Sequence, residues 1–225
     1  MKSEVVIDGR TISPDHPPYV IAEMSANHNG SFDRAIEILQ SAKQAGADAV
    51  KLQTYTADTM TIDHDGPEFE LTEGQWAGRS LYELYDWAHT PWEWHESLFK
   101  MGRELGITIF STPFDQSAVN FLSQFDPPAY KIASFENNHL PLIESVAKTG
   151  KPIIISTGLA SLKEIDETVT VAKKAGCKDL ALLKCTSSYP AKIEDSNLSS
   201  ILKLKSIYDF EIGLSDHTLG ITTAM

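Results

Sequence analysis

Tyr130-Lys131-Ile132-Ala133-Ser134-Phe135-Glu136 turns a short apolar run, Pro128-Ala129-Tyr130, into a lysine, then a hydroxyl, then a carboxylate. A lysine entering such a run is costly, because a buried ammonium loses its hydration without return. It makes sense where a strand ends at a pocket that holds an anion. The same order recurs in Ala49-Val50-Lys51-Leu52-Gln53-Thr54 and in Leu182-Leu183-Lys184-Cys185-Thr186-Ser187, with Ser or Thr three residues after each lysine. These repeats predict strands whose C-terminal ends carry polar groups.

Around them the chain alternates strand and helix. Strand patterns at 19–24, 47–52, 107–110, 129–132, 152–155, 180–183 and 210–213 are each followed by polar residues. Helical spacing follows at 33–44, 116–124, 140–148, 161–175 and 197–205. Gly46 and Gly176 stand as helix stops. Val5 to Ile12 around Asp8-Gly9 reads as a hairpin, and Pro14, Pro17 and Pro18 as a rigid connector. Residues 55–79 form a long polar loop suited to a site or lid. Leu81 to Ala88 reads as an amphipathic helix, and Thr90-Pro91 as the cap and first residue of the next. Seven β-then-helix units favour an α/β fold, a (β/α)8 barrel ending after its seventh strand, with an N-terminal hairpin. The expected division is residues 1–18 for the hairpin and connector and 19–225 for the barrel portion. No G-x-G-x-x-G follows the first strand, which disfavours a dinucleotide.

The 225 residues carry a net charge of -12, with lysine and arginine scattered, which argues against a nucleic-acid surface. An anion site here must therefore be a local cluster set against the global field. Met1-Lys2-Ser3-Glu4 lacks the apolar core of a leader, no apolar run approaches a membrane span, and Cys177 and Cys185 read as reduced packing residues. A cytoplasmic protein is the expectation.

Lys51, Lys131 and Lys184 fall at the ends of alternate strands, where a barrel layer brings side chains together. Thr112, Ser134, Ser156 and Ser215 add hydroxyls. Such a ring suits a phosphate or a phospho-carboxylate, since charge-assisted hydrogen bonds are roughly twice as strong as neutral ones. The plainer reading has these lysines snorkel toward acidic neighbours. Glu23 and Glu136 follow apolar strands, where a nearby lysine would keep either ionised. His217 is a plausible metal ligand, while His28 and His95 read as surface or packing residues.

Taken together, Ile21-Ala22-Glu23, Asn27-His28-Asn29-Gly30, Lys51-Leu52-Gln53-Thr54, Ser111-Thr112-Pro113-Phe114, Tyr130 to Ser134, Ser156-Thr157-Gly158, Cys185 to Pro190 and Gly213 to Thr218 resemble the sialic acid synthase family. Leu81 to Tyr85 with Thr90 to His95, Ala133 to Glu136, and Lys184-Cys185 resemble its pseudaminic acid branch. The resemblance implies condensation of phosphoenolpyruvate with 2,4-diacetamido-2,4,6-trideoxy-altrose to give pseudaminic acid and phosphate. The neighbouring alternatives are N-acetylneuraminate and legionaminate synthases, or a barrel remnant that only binds a phosphorylated ligand or a partner subunit. It implies Lys51, Thr112, Lys131, Ser134, Ser156 and Ser215 at the phosphoenolpyruvate, and Glu23, Gln53, Phe114 and Tyr189 around the sugar. Lys184, Ser187 and Asp216 join the substrate residues, and Glu136, Glu23 and Lys131 form the catalytic set. His217 matches one ligand of Mn2+ or Mg2+, which would polarise the aldehyde. The family's second metal histidine, on an eighth strand, and its C-terminal antifreeze-like domain have no counterpart in these residues. A homodimer is implied for the full-length form, with this chain inactive alone.

Overall fold

The computed structural model describes residues 4–72, 74 and 76–225. Met1 to Ser3, part of the leader reading, lie outside the described residues. Backbone contacts divide the chain into two compact units, one of residues 19–127 and one joining the segment up to Pro18 with residues 128–225.

The chain opens on β1 (Val5–Ile7) and β2 (Arg10–Ile12), antiparallel with Val5 opposite Ile12. Asp8 and Gly9 both take positive φ (50° and 76°), the primed turn whose twist matches a two-residue hairpin. Val5 and Ile7 are buried and Val6 is exposed, the period of two of a one-sided strand. The Arg10 guanidinium donates to the carbonyls of Pro17 and Pro18 at 3.3 and 3.2 Å, tying the proline connector to the hairpin.

In the 19–127 unit the order is β3 (Ile21–Glu23), α1 (Phe32–Gln44), β4 (Ala49–Thr54), α2 (Ala57–Met60), α3 (Leu81–Ala88), α4 (His95–Leu105), β5 (Thr108–Pro113) and α5 (Gln116–Leu122). β4 pairs in parallel with β3 and with β5. α1 starts on Ser31, whose hydroxyl accepts from the Arg34 N–H, and Gly46 turns the chain beyond it at φ 87°. α3 carries a full capping box, Ser80 with Glu83. β4 and β5 run on to Thr54 and Pro113, past the residues where polarity first suggests an end.

Three expectations are corrected here. The buried strand expected at 19–24 is shorter and only half-buried, with Val20 and Glu23 exposed, because β3 forms its ladder along β4 alone in this unit. The loop at 55–79 is not wholly irregular, since Thr56 and Thr59 cap α2 and a 3-10 turn forms at Pro67–Phe69. Thr90 is buried rather than capping: Pro91 precedes a 3-10 turn, Trp92–Trp94, that leads into α4. Trp92 sets that turn by donating its indole N–H to the Tyr55 carbonyl (3.0 Å) and stacking on Phe121 at 4.4 Å.

Beneath this turn His95 is fully buried against Phe121 and Phe125. Its Nδ1 faces the Pro91 carbonyl (3.2 Å), which can only accept, so Nε2 accepts from Thr54 Oγ1 (2.8 Å) and Ser111 donates to Thr54 (2.6 Å). Burial, against the smaller opposing pull of nearby carbonyls and Glu93, pushes the His95 pKa down to about 4. A histidine held neutral in the fold keeps its stability above the unfolded pKa of about 6.5 and loses it as pH falls toward the folded value. Urea melts should therefore lose on the order of 3 kcal/mol between pH 7 and pH 4 that a His95→Gln variant does not lose. Equal pH slopes in the two proteins would contradict the assignment.

The other unit continues with β6 (Tyr130–Ile132), α6 (Leu140–Lys148), β7 (Ile153–Ser156), α7 (Leu162–Lys174), β8 (Leu180–Cys185), α8 (Ser199–Ile207) and β9 (Glu211–Ser215). The strands pair in parallel in chain order from β6 to β9. β7 is buried throughout, as a strand covered on both faces must be. α6 buries Leu142, Ile143, Val146 and Ala147, and α7 buries Ile165, Thr168, Val169 and Ala172; the two helices pack on each other. In both units helices follow parallel strands, which is the α/β class.

Candidate active site

The strand ends of the 128–225 unit gather most of the singled-out side chains. Lys131, on β6, is 5% exposed and donates to Ser156 Oγ and to the Ile132 carbonyl, both at 2.6 Å. Ser156 closes β7, and its own carbonyl accepts from Asn137 Nδ2 at 3.1 Å. Ser134 begins a 3-10 turn, Ser134–Glu136, and its Oγ accepts from the Gly158 N–H at 3.2 Å. These distances give the ammonium of Lys131 a seat at the end of the strand rather than a snorkelling route.

Glu136 ends that turn with Oε2 buried and without a hydrogen-bond partner. Burial pushes its pKa up, and neither its own backbone N–H nor the Lys131 charge reverses the direction. Lys131 pulls the carboxyl toward its ionised form, as a neighbouring lysine should, but desolvation is the larger influence on its direction.

Lys184, at the end of β8, is buried and donates to Thr186 Oγ1 at 2.5 Å, while the Thr186 hydroxyl donates a hydrogen bond to the Asp195 carbonyl (3.2 Å). Beside it, Cys185 Sγ lies 3.9 Å from His217 Nδ1 and 3.7 Å from Ser187 Oγ. Burial raises this thiol, but hydrogen bonds from His217, Ser134 and Ser187, with the His217 charge, bring it down to about 6. Cys177, by contrast, is pushed up to about 11 by burial. Ser215 ends β9 in register with Cys185. Tyr189 is 66% exposed and lays its ring 4.3 Å from that of His217. Asp216 is exposed, and its carboxylate accepts from the Thr218 N–H within its own turn (2.9 Å).

In the 19–127 unit, Glu23 and Lys51 sit opposite each other in the β3–β4 register and form an ion pair. Lys51 also donates to Thr112 Oγ1 at 3.2 Å, and Glu23 Oε1 accepts from the Ser25 N–H at 3.0 Å. Gln53 shares the Lys51 face of β4 and pairs in register with Thr112. Phe114 packs edge-on against the buried Tyr55 at 5.2 Å. Here the plainer reading of a lysine paired with an acid holds for Lys51, although the pair stands at a strand end.

His217 gives Nδ1 to the Thr186 carbonyl (2.9 Å), so a neutral ring keeps its lone pair on Nε2, the arrangement a metal ligand uses. Among the described residues, however, no three His, Cys, Asp or Glu side chains come together as a cage for a metal ion. His217 is therefore, among the described residues, a single candidate ligand without a completed set.

Residues 38–225 match the NeuB family model. The chain belongs to the NeuB family. It is 48% identical over 206 residues to the pseudaminic acid synthase of Campylobacter jejuni serotype O:2, a match covering 92% of this chain and 60% of that protein. It is 47% identical over 204 residues to the Helicobacter pylori pseudaminic acid synthase, covering 91% and 60%. The chain thus spans about 60% of the length of these relatives. Among solved structures, the N-acetylneuraminic acid synthetase of Leptospira borgpetersenii in complex with citrate superposes with a TM-score of 0.87 at 32% identity, over 99% of this chain and 73% of that one. The fold is accordingly the α/β barrel type of the family, here with seven parallel strands among the described residues.

Two members of this NeuB-family strand-end cluster escape a reading by residue type. Cys185 reads as a packing residue, and Gly158 carries no role of its own. A Cβ on Gly158 would stand 2.3 Å from Ser187 Oγ, 2.8 Å from Ser134 Oγ and 3.3 Å from Cys185 Cβ. Both hydroxyls would have to turn away, and overpacking of this kind typically costs about 1–3 kcal/mol. Gly158→Ala should therefore lower the melting temperature modestly in a thermal shift assay. An unchanged melting temperature would show that the close approach is unimportant.

Proposed function

We propose that the full-length protein condenses phosphoenolpyruvate with 2,4-diacetamido-2,4,6-trideoxy-altrose, releasing phosphate and forming pseudaminic acid. The observation that carries the chemistry is the buried Lys131–Ser156 pair, a cation placed at a strand end with hydroxyls around it in a protein of net charge -12. Identity supports the choice of sugar: 48% to the C. jejuni pseudaminic acid synthase against 32% to the Leptospira N-acetylneuraminic acid synthetase.

In this reading Lys131, Ser134, Ser156 and Ser215 hold phosphoenolpyruvate, and Lys51 and Thr112 take the same family assignment. Glu23, Gln53, Phe114, Ser187, Tyr189 and Asp216 are assigned to the sugar, and Lys184 steadies the β8 end through Thr186. The methylene carbon of phosphoenolpyruvate bonds to the aldehyde carbon, and Glu136, whose pKa burial raises, gives its proton to the aldehyde oxygen. Water adds to the resulting cationic carbon and returns a proton to Glu136. The new hydroxyl then passes its proton to the departing phosphate as the C–O bond breaks and the keto group forms. Lys131 stabilises the anionic charge through these steps. A divalent metal, Mn2+ or Mg2+, with His217 as one ligand, and a cytoplasmic homodimer belong to the same proposal. Among the described residues no helix is long and apolar enough to cross a membrane.

The test of the reaction class is phosphoenolpyruvate labelled with 18O at the bridging oxygen. The label should leave in the phosphate; label retained in the sugar acid would mean P–O cleavage and a different mechanism.

A further inference from the structure

We infer that Asn137 and Thr168 are positioning residues that hold Ser156 and Lys131 in place for the anionic substrate. The inference rests on the function proposed above and adds two residues outside its site assignments.

The observations form one continuous chain of hydrogen bonds. Thr168 lies in the middle of α7 and is 0% exposed. A helical threonine ordinarily returns its hydroxyl to a carbonyl of its own helix one turn back. Here Thr168 Oγ1 donates instead to the Asn137 carbonyl, at 2.5 Å across a separation of 31 residues. Asn137 is 1% exposed, and its Nδ2 donates to the Ser156 carbonyl at 3.1 Å. Ser156 Oγ in turn accepts from Lys131 Nζ at 2.6 Å. The helix is thereby wired to the strand-end hydroxyl that meets the lysine.

Asn137 keeps this link at a cost. Its Oδ1 is buried with no hydrogen-bond partner, and an unsatisfied amide oxygen is unfavourable where an apolar side chain of similar size would not be. The amide's return is its grip on Ser156. That carbonyl belongs to the last residue of β7, followed by Thr157, whose N–H bonds to the Leu183 carbonyl of β8. The peptide between 156 and 157 is therefore gripped from both sides. Asn137 also follows Glu136 directly, so the Thr168 bond to its carbonyl restrains the turn that carries that carboxyl group as well.

The test is made in the full-length protein with Thr168→Val, which keeps shape and loses the donor, Thr168→Ser, which restores it, and Asn137→Ala. The readouts are the kinetic constants for phosphoenolpyruvate and for the sugar taken separately, and the melting shift induced by phosphoenolpyruvate alone. Thr168→Val and Asn137→Ala should each lower kcat/KM for phosphoenolpyruvate about tenfold, the scale of one buried hydrogen bond. The sugar KM should stay unchanged and the phosphoenolpyruvate-induced shift should shrink. Thr168→Ser should behave like the parent. Should Thr168→Val fail to fold, Asn137→Ala carries the same expectation, because it also removes the unsatisfied oxygen. Parent-like phosphoenolpyruvate constants in Asn137→Ala, or in a folded Thr168→Val, overturn the inference. A parent protein that neither binds nor consumes phosphoenolpyruvate overturns the function proposed above, and this inference with it.

Discussion

On the proposed function, Lys131→Met is expected to lower kcat/KM for phosphoenolpyruvate about 10²–10³-fold in the full-length protein, the usual cost of removing one preorganised group that meets developing charge. The side chains are similar in length, so the change removes an ammonium and little volume. In the parent that ammonium is buried and already oriented by Ser156 Oγ and the Ile132 carbonyl. No reorganisation is then needed when an anion arrives. Losing the ammonium leaves the buried Ser156 Oγ and Ile132 carbonyl without that donor, at about 1–3 kcal/mol per group, so the variant should fold but melt somewhat below the parent. Lys131→Arg should not restore activity, because the planar guanidinium does not fit a point-charge seat between a hydroxyl and a carbonyl. Steady-state kinetics alongside thermal melts separate the two effects. Activity within tenfold of the parent would remove Lys131 from the reaction.

Glu136→Gln is expected to cut kcat on the order of a thousandfold, within the usual range for a positioned acid or base, while raising stability at alkaline pH. The sign follows from linkage. Burial lifts the folded-state pKa of Glu136 above its ordinary value. The protonated form is therefore favoured by folding, and its contribution, complete below the unfolded pKa, is lost as pH rises through the folded one. Glutamine cannot ionise and avoids that loss. Melting curves should converge at acid pH and separate as pH rises, with the variant higher. The parent's kcat should fall on the alkaline side through the same ionisation. A variant less stable than the parent at pH 8, with kcat unchanged, would contradict both the acid role and the cause assigned to the shift.

Much of this was legible in the residues because strand ends announce themselves. The Asp8-Gly9 hairpin and the helix over Leu140–Lys148 form where turn chemistry and 3.6-residue spacing place them. β3 stops a residue early at Glu23, whereas several other strands end later than polarity suggests. β4, β5, β8 and β9 continue through Gln53 and Thr54, Ser111 to Pro113, Lys184 and Cys185, and Leu214 and Ser215, because parallel ladders pair backbones whatever the side chain. Polarity therefore marks where the pocket starts, two or three residues before the strand stops.

Other features could not be read from the residues because they depend on distances between segments remote in the chain. The Cys185–His217 and Thr168–Asn137 contacts each join residues more than 30 apart, and neither partner carries a local pattern. Gly158 matters through what stands beside it, not through its backbone angle. Glu136 shows the same limit in energetic form. A lysine five residues away was visible in the chain, but the depth of burial that overrides it was not.

The most direct measurement is phosphate release by the full-length protein with phosphoenolpyruvate and Mn2+, offering 2,4-diacetamido-2,4,6-trideoxy-altrose and N-acetylmannosamine in separate reactions. The account predicts stoichiometric phosphate and pseudaminic acid with the altrose sugar, and no turnover of N-acetylmannosamine. Turnover of N-acetylmannosamine alone would contradict the substrate. No consumption of phosphoenolpyruvate with either sugar would contradict the reaction itself.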